Sequence, residues 1–166
     1  MTIVKFPNEL LAQRLNDFDF SNPVEDPAEL EKRMLKIMYD NDGIGLAANQ
    51  IGINARVLVM GYKDKPESGQ AFFNPIIEKH TDDYSELLEG CLSFPGIYVK
   101  IKRPNAIQVS YQTALGESRT EILEGLNAKC FLHEFDHLEG ITFKDRVGAV
   151  KWAMAVKKSK PKRKYK

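Results

Sequence analysis

The sequence predicts an α+β fold, with antiparallel sheets packed around one central helix. Three observations predict it. Five short β-prone runs, at residues 55–62, 72–79, 97–102, 106–112 and 119–123, are separated by Gly, Pro or Asn signals. That spacing leaves no room for the crossover helices a parallel sheet requires. Helical periodicities stand before and after the set rather than between its members. At 166 residues the chain fits one domain with one core. Such a chain buries roughly 68–70% of the surface its unfolded form exposes, so a metal site here would serve function rather than hold the fold together.

Composition narrows the setting. Two Cys in the whole chain do not make a disulfide framework and suit a reducing compartment. No segment approaches the roughly 18 apolar residues of a membrane span, and charged residues interrupt the apolar run at the start, so neither a membrane nor a secretory leader is expected. The expected location is the cytoplasm. A net charge of +1 conceals an asymmetry: seven of the 24 basic residues fall in positions 157–166, and all 23 acidic residues lie upstream. Residues 1–156 therefore read as a single acidic domain and 157–166 as a basic, disordered tail.

The first helix starts at Asp26-Pro27-Ala28-Glu29, where Asp26 can cap, Pro27 suits the first helical position and Glu29 can complete a capping box. Leu30, Met34, Ile37 and Met38 then share a face, until Asp42-Gly43 ends the helix before the Gly-rich stretch 43–50. The five strands follow. Residues 126–139 are long enough for about four helical turns and stop at Gly140. Leu126, Cys130, His133 and His137 lie on one stripe of that helix, with Phe131, Phe135 and Leu138 on its other sides, so it reads as buried. A last helix is expected over 146–156.

The chemistry sits in the buried helix. His133-Glu134-Phe135-Asp136-His137 places two imidazoles one turn apart, able to converge on one ion beside Glu134. A catalytic site usually takes a third protein ligand. The protease-type downstream ligands are missing, because position 143 is Phe143 and the only acid after Glu139 is Asp145. Upstream candidates are His80, Cys91, Cys130 or a carboxylate. Residues 130 to 137 span about 10 Å of helix, too far for a short Cys side chain at one end to meet the far imidazole. Cys130 therefore reads as a small buried hydrophobe. Cys91, in a turn punctuated by Gly90, Pro95 and Gly96, can present a thiolate from a separate element, and it is the chosen ligand.

Three separated motifs now stand in one order: Gly43-Ile44-Gly45-Leu46-Ala47-Ala48-Asn49-Gln50, Glu89-Gly90-Cys91-Leu92-Ser93 and His133-Glu134-Phe135-Asp136-His137. Together they resemble the peptide deformylases, which remove the formyl group from the N-terminal methionine of new polypeptides. The resemblance runs from about residue 27 to 145 and implies a deformylase-like fold around a metal-binding helix. It further implies one divalent ion on Cys91, His133 and His137, with iron(II) the usual native ion and zinc, nickel or cobalt accepted. Glu134 is implied as general acid and base, and the Gln50 side chain and Leu92 N–H as donors to the oxyanion. Gly43, Ile44, Gly45, Glu89, Leu126 and Cys130 are the expected substrate-binding residues. Arg103 and Asp136 are expected to brace the metal helix as an ion pair.

The chain departs from the family pattern at three places. Leu132 stands where the family usually has Gln, Lys129 replaces an apolar residue near the pocket, and Ile97 and Tyr98 occupy the region of a substrate-contacting Arg in many relatives. The partners expected are an N-formylmethionyl peptide and, through the basic tail, the ribosome, with the protein a monomer. A metallo-endopeptidase using the same helix, and a ribosome- or RNA-binding protein with a structural metal, are the competing readings.

Overall fold

The computed structural model describes residues 3–159. The basic tail expected at 157–166 therefore lies mostly outside the described residues, and 157–159 close the last helix. Helix α1 (Pro27–Asp40) begins as its sequence requires: the Asp26 side chain accepts from the Glu29 N–H at 3.0 Å, with Pro27 at the first turn. Its buried face is Leu30, Met34, Ile37 and Met38.

Seven strands follow: β1 (Gly45–Ala47), β2 (Val57–Tyr62), β3 (Lys65–His80), β4 (Tyr84–Cys91), β5 (Phe94–Pro104), β6 (Ala106–Gln112) and β7 (Ser118–Glu124). All their pairings are antiparallel. One sheet runs β1-β2-β3-β6-β7, and β4 with β5 makes a separate hairpin. Helices α2 (Gly125–Leu138) and α3 (Ala149–Ser159) complete the chain.

Two strands escape the hydrophobic pattern. β1 is three residues long and entirely buried, so it has no alternation to read, and it exists by pairing Gly45 with Met60 and Ala47 with Leu58. β4 buries only Glu89. Its register with β5, from Tyr84 opposite Pro104 to Cys91 opposite Phe94, holds it in place. β3 is longer than its apolar stretch because its exposed polar half extends the hairpin with β2, as far as Lys65 opposite Tyr62. The helix expected from 146 begins at Ala149. Before it, Phe143–Arg146 form a single 3-10 turn in which the Asp145 carboxylate accepts from both the N–H and the hydroxyl of Thr142, each at 2.8 Å.

Helix α2 lies against the large sheet. Phe131, Ala128 and Leu138 pack with Leu58, Phe72, Ile107 and Val109, while α1 covers another part of the core with Met34, Met38, Val57, Val59 and Phe73. Burying each large apolar side chain stabilises the fold by about 1.5–3 kcal/mol. A third cluster, Phe94, Val99, Ile101 and Phe143 with Trp152, seats the hairpin against α3. The polar face of α2 is left between β1 and the β4-β5 hairpin, and the site forms there.

Candidate metal centre

Helix α2 carries His133 and His137 on one buried face, their ring centroids 5.3 Å apart. Cys91 ends β4, just before the two-residue turn Leu92-Ser93 that leads into β5. Its Sγ lies 3.3 Å from His137 Nε2. One donor atom from each of Cys91, His133 and His137 falls within 4.8 Å of the others. Four-coordinate bonds of about 2.0–2.3 Å would set such donors roughly 3.3–3.8 Å apart, so the three residues fit a small divalent ion without large rearrangement. A thiolate with two imidazoles is also a donor set suited to a transition metal rather than to calcium or magnesium.

A buried polar chain supports the histidines. His133 Nδ1 meets Glu89 Oε2 at 2.9 Å, which leaves Nε2 for an ion. Arg103 donates to Glu89 through Nε (2.6 Å) and Nη2 (3.0 Å), and through Nη1 to Asp136 Oδ2 (2.9 Å). Arg146, reaching in from the 3-10 turn, donates to Asp136 through Nε at 3.0 Å and again through Nη2. Burial alone would raise the Glu89 carboxyl, but its bonds to His133 and Arg103 outweigh that and hold it below the ordinary carboxylate value. Burial likewise works against charge on His133, yet Cys91 and Glu89 raise it well above the usual imidazole value in the metal-free protein. His137 goes the other way, pushed well down by burial and by the neighbouring His133 charge.

Glu134 projects from the same helix and is buried at the base of a cleft. Burial, opposed by His133, pushes its carboxyl up to about 7. Its Oε2 has no hydrogen-bond partner among the described residues, so one oxygen remains available to a small molecule beside the ligand cluster. Gly45 of β1 makes this possible, because a Cβ there would lie 2.6 Å from Glu134 Oε1 and 2.7 Å from Cys130 Sγ. Gln50 comes from the 3-10 turn Ala48–Ile51 that follows β1. Its Oε1 accepts from the Ala47 N–H at 2.8 Å, while Nε2 faces Ser93 Oγ (3.2 Å) and Cys91 Sγ (3.5 Å). One amide thus steadies the Gly-rich turn and points its donor end toward the thiol.

These groups open on a cleft of about 510 Å3 lined by Gly43, Ile44, Gly45, Leu92, Leu126 and Cys130, among others. Ile44 and Leu126 are 38% and 45% exposed. Cys130 is buried, with its thiol donating to the Ile44 carbonyl at 3.4 Å, and burial raises it well above the ordinary thiol value. It lies outside the ligand cluster. His80 is likewise elsewhere, beside Thr81 and Tyr84 at the end of β3.

Comparison with known proteins follows the same lines. A family model described as polypeptide deformylase matches residues 1–152. The chain belongs to this family. It is 41% identical to the peptide deformylase of Pelagibacter ubique, over 95% of this chain and 91% of that one. With the Thermotoga petrophila enzyme it shares 44% identity over 76% of each chain. Its structure resembles that of the Plasmodium falciparum deformylase with a TM-score of 0.87 at 35% identity, covering 95% of this chain and 92% of the other. Against the Synechococcus elongatus deformylase, solved with actinonin, the TM-score is 0.88 at 33% identity, covering 95% and 86%. The α+β deformylase fold is thereby established, and with it the activity: a hydrolase that removes the N-formyl group from newly made polypeptides. As accounts of the chain's main activity, the endopeptidase and the non-enzymatic binding protein with a structural metal give way to the deformylase.

Against the deformylase pattern, the three departures have distinct surroundings. Leu132 packs half-buried against the apolar cluster under α2. Lys129 sends its ammonium to the carbonyl (3.3 Å) and hydroxyl of Ser85, so its stem lines the cleft while its charge is satisfied outside it. Tyr98 stands 61% exposed at the cleft mouth, with its ring over Gly90, where a Cβ would come within 2.7 Å of it. Sequence reasoning did not single out Ser93, although it sits inside a quoted motif, nor Arg146, whose partner Asp136 is ten residues earlier on another element. Glu89, an expected substrate-binding residue, does line the cleft, and its carboxylate bonds to Arg103 and His133.

Proposed function

We propose that this deformylase cleaves the formyl amide of N-formylmethionyl peptides with Cys91, His133 and His137 as metal ligands and Glu134 as general acid and base. When bound, a divalent ion on one thiolate and two neutral imidazoles supplies Lewis acidity toward the formyl carbonyl and acidifies water, and iron(II) is the proposed native ion, with zinc, nickel or cobalt accepted. Glu134 takes the proton of the attacking water at its free Oε2. Gln50 Nε2 and the Leu92 N–H receive the charge that develops on the formyl oxygen, a role worth about 2.7–4 kcal/mol per donor. Glu134 then delivers its proton to the leaving amine, and formate departs.

The extended backbone at Gly43, Ile44 and Gly45 pairs with the peptide, and Ile44, Leu126 and Cys130 hold the methionine side chain. Glu89 borders the same pocket while its carboxylate supports His133. Residues 1–156 act as one catalytic domain, monomeric and cytoplasmic, while the basic tail favours the ribosome as polyanionic partner. One observation supports this reading above the others: three metal donors, a carboxylate oxygen without a partner and an amide donor converge on one cleft. Mass spectrometry of a mixture of formylated and unformylated peptides tests it. Formate release from formyl-Met peptides with every internal bond intact is expected, and internal cleavage would overturn it.

A further inference from the structure

The two segments assigned to the formyl oxygen are both tied to the start of the chain. The Val4 N–H donates to the Gln50 carbonyl at 2.8 Å and the Phe6 N–H to the Ser93 carbonyl at 3.0 Å. Between them, Lys5 Nζ donates to the Leu92 carbonyl at 2.6 Å. The Phe6 ring stacks on Phe94 at 4.7 Å between centroids, and the Lys144 ammonium lies 5.1 Å from the centre of the Phe6 ring. Three consecutive residues thereby hold the main chain on both sides of the thiol, at Gln50 and at the turn Leu92-Ser93. Lys5 itself lines the catalytic cleft with Gln50, Cys91, Leu92 and Glu134.

We propose that residues 4–6 form a strap that fixes the Gln50 amide and the Leu92 N–H in register, with Lys5 as a positioning residue for deformylation. The inference rests on the oxyanion role given above to Gln50 and Leu92. Such donors work only when held about 2.7–3.1 Å from the place where charge appears, and a misplacement of about 1 Å can cost about 100-fold in rate. Leu92 lies in a two-residue turn, the part of a hairpin with the fewest strand contacts. The Lys5 ammonium makes a charge-assisted bond to that turn, stronger than a neutral one. Because the ground-state carbonyl gains little from these donors, slackening the strap lowers kcat and leaves KM nearly unchanged.

Metal-loaded Lys5→Met and Lys5→Arg proteins test this against a formyl-Met peptide, with metal per chain and Tm measured alongside. Lys5→Met should lose about 5–30-fold in kcat, with KM within about 2-fold and metal content unchanged, and Lys5→Arg should recover most of the loss because it restores a cationic donor. An unchanged kcat in Lys5→Met would overturn the strap. So would a rise in KM alone, which would make Lys5 a substrate contact, or a loss of metal or Tm that explains the lost rate. If the wild type releases no formate, the underlying reading fails as well. Normal formate release by both wild type and Lys5→Met removes the strap only.

Discussion

Gly45 illustrates how one missing atom makes room for the carboxylate proposed to move protons. A methyl group there would occupy the space of the Glu134 carboxylate and the Cys130 sulfur. Gly45→Ala is therefore expected to retain its metal and lose at least about 10-fold in kcat, because the carboxylate must swing away from the attacking water. Metal analysis with formate-release kinetics checks it. The two cysteines give a sharper contrast. Cys91→Ser should bind its ion far more weakly, since a hydroxyl is a poorer ligand than a thiolate, while Cys130→Ser should keep stoichiometric metal. The convergence of Cys91, His133 and His137 was legible because His and Cys are scarce in this chain and the spacing on the helix is distinctive. The bonds of Glu89 to Arg103 and His133 were not, since a carboxylate's partners on other elements leave no mark in its local sequence.

Among the elements, α2 carries His133, Glu134 and His137, proposed for the chemistry, and their supports come from β4, β5 and the 3-10 turn at Phe143–Arg146. Arg103 sits between two buried carboxylates, Glu89 and Asp136, with all three side chains nearly inaccessible. Arg103→Met leaves those charges without their shared cation, so a loss of about 3–5 kcal/mol in stability is expected, together with about 10–100-fold in metal affinity through the freed His133. Denaturant unfolding and metal titration measure the two separately. Helices α1 and α2 were legible, because caps and one-sided apolar spacing are local signals. Strands β1 and β4 were not: one is too short to alternate, and the other is specified by its partner β5 rather than by its own burial.

The whole molecule couples its fold to the ion. Ligands that gather only in the folded state make metal binding stabilising, by about 2.7 kcal/mol at a free ion concentration of 100 times Kd. The sign of the pH effect follows from His133, whose raised value in the metal-free protein means that a proton competes with the ion. Lower pH favours the proton, so the rise in Tm on adding metal should grow between about pH 6 and about pH 8. Calorimetry with and without the ion across that range would show it, and a constant increment would contradict it. The α+β class was legible from the spacing of the strands, whereas the way distant segments meet around the thiol depends on long-range pairing that no local pattern encodes. The proposed chemistry turns on Glu134, the group that would move the protons without holding the ion. The most direct measurement is formate release from a formyl-Met peptide by Glu134→Ala protein carrying a full complement of metal. Full metal occupancy with turnover reduced by at least about 1,000-fold is predicted, within the roughly 100- to 10,000-fold range of general acid–base catalysis. Near-normal turnover at full occupancy would contradict the account.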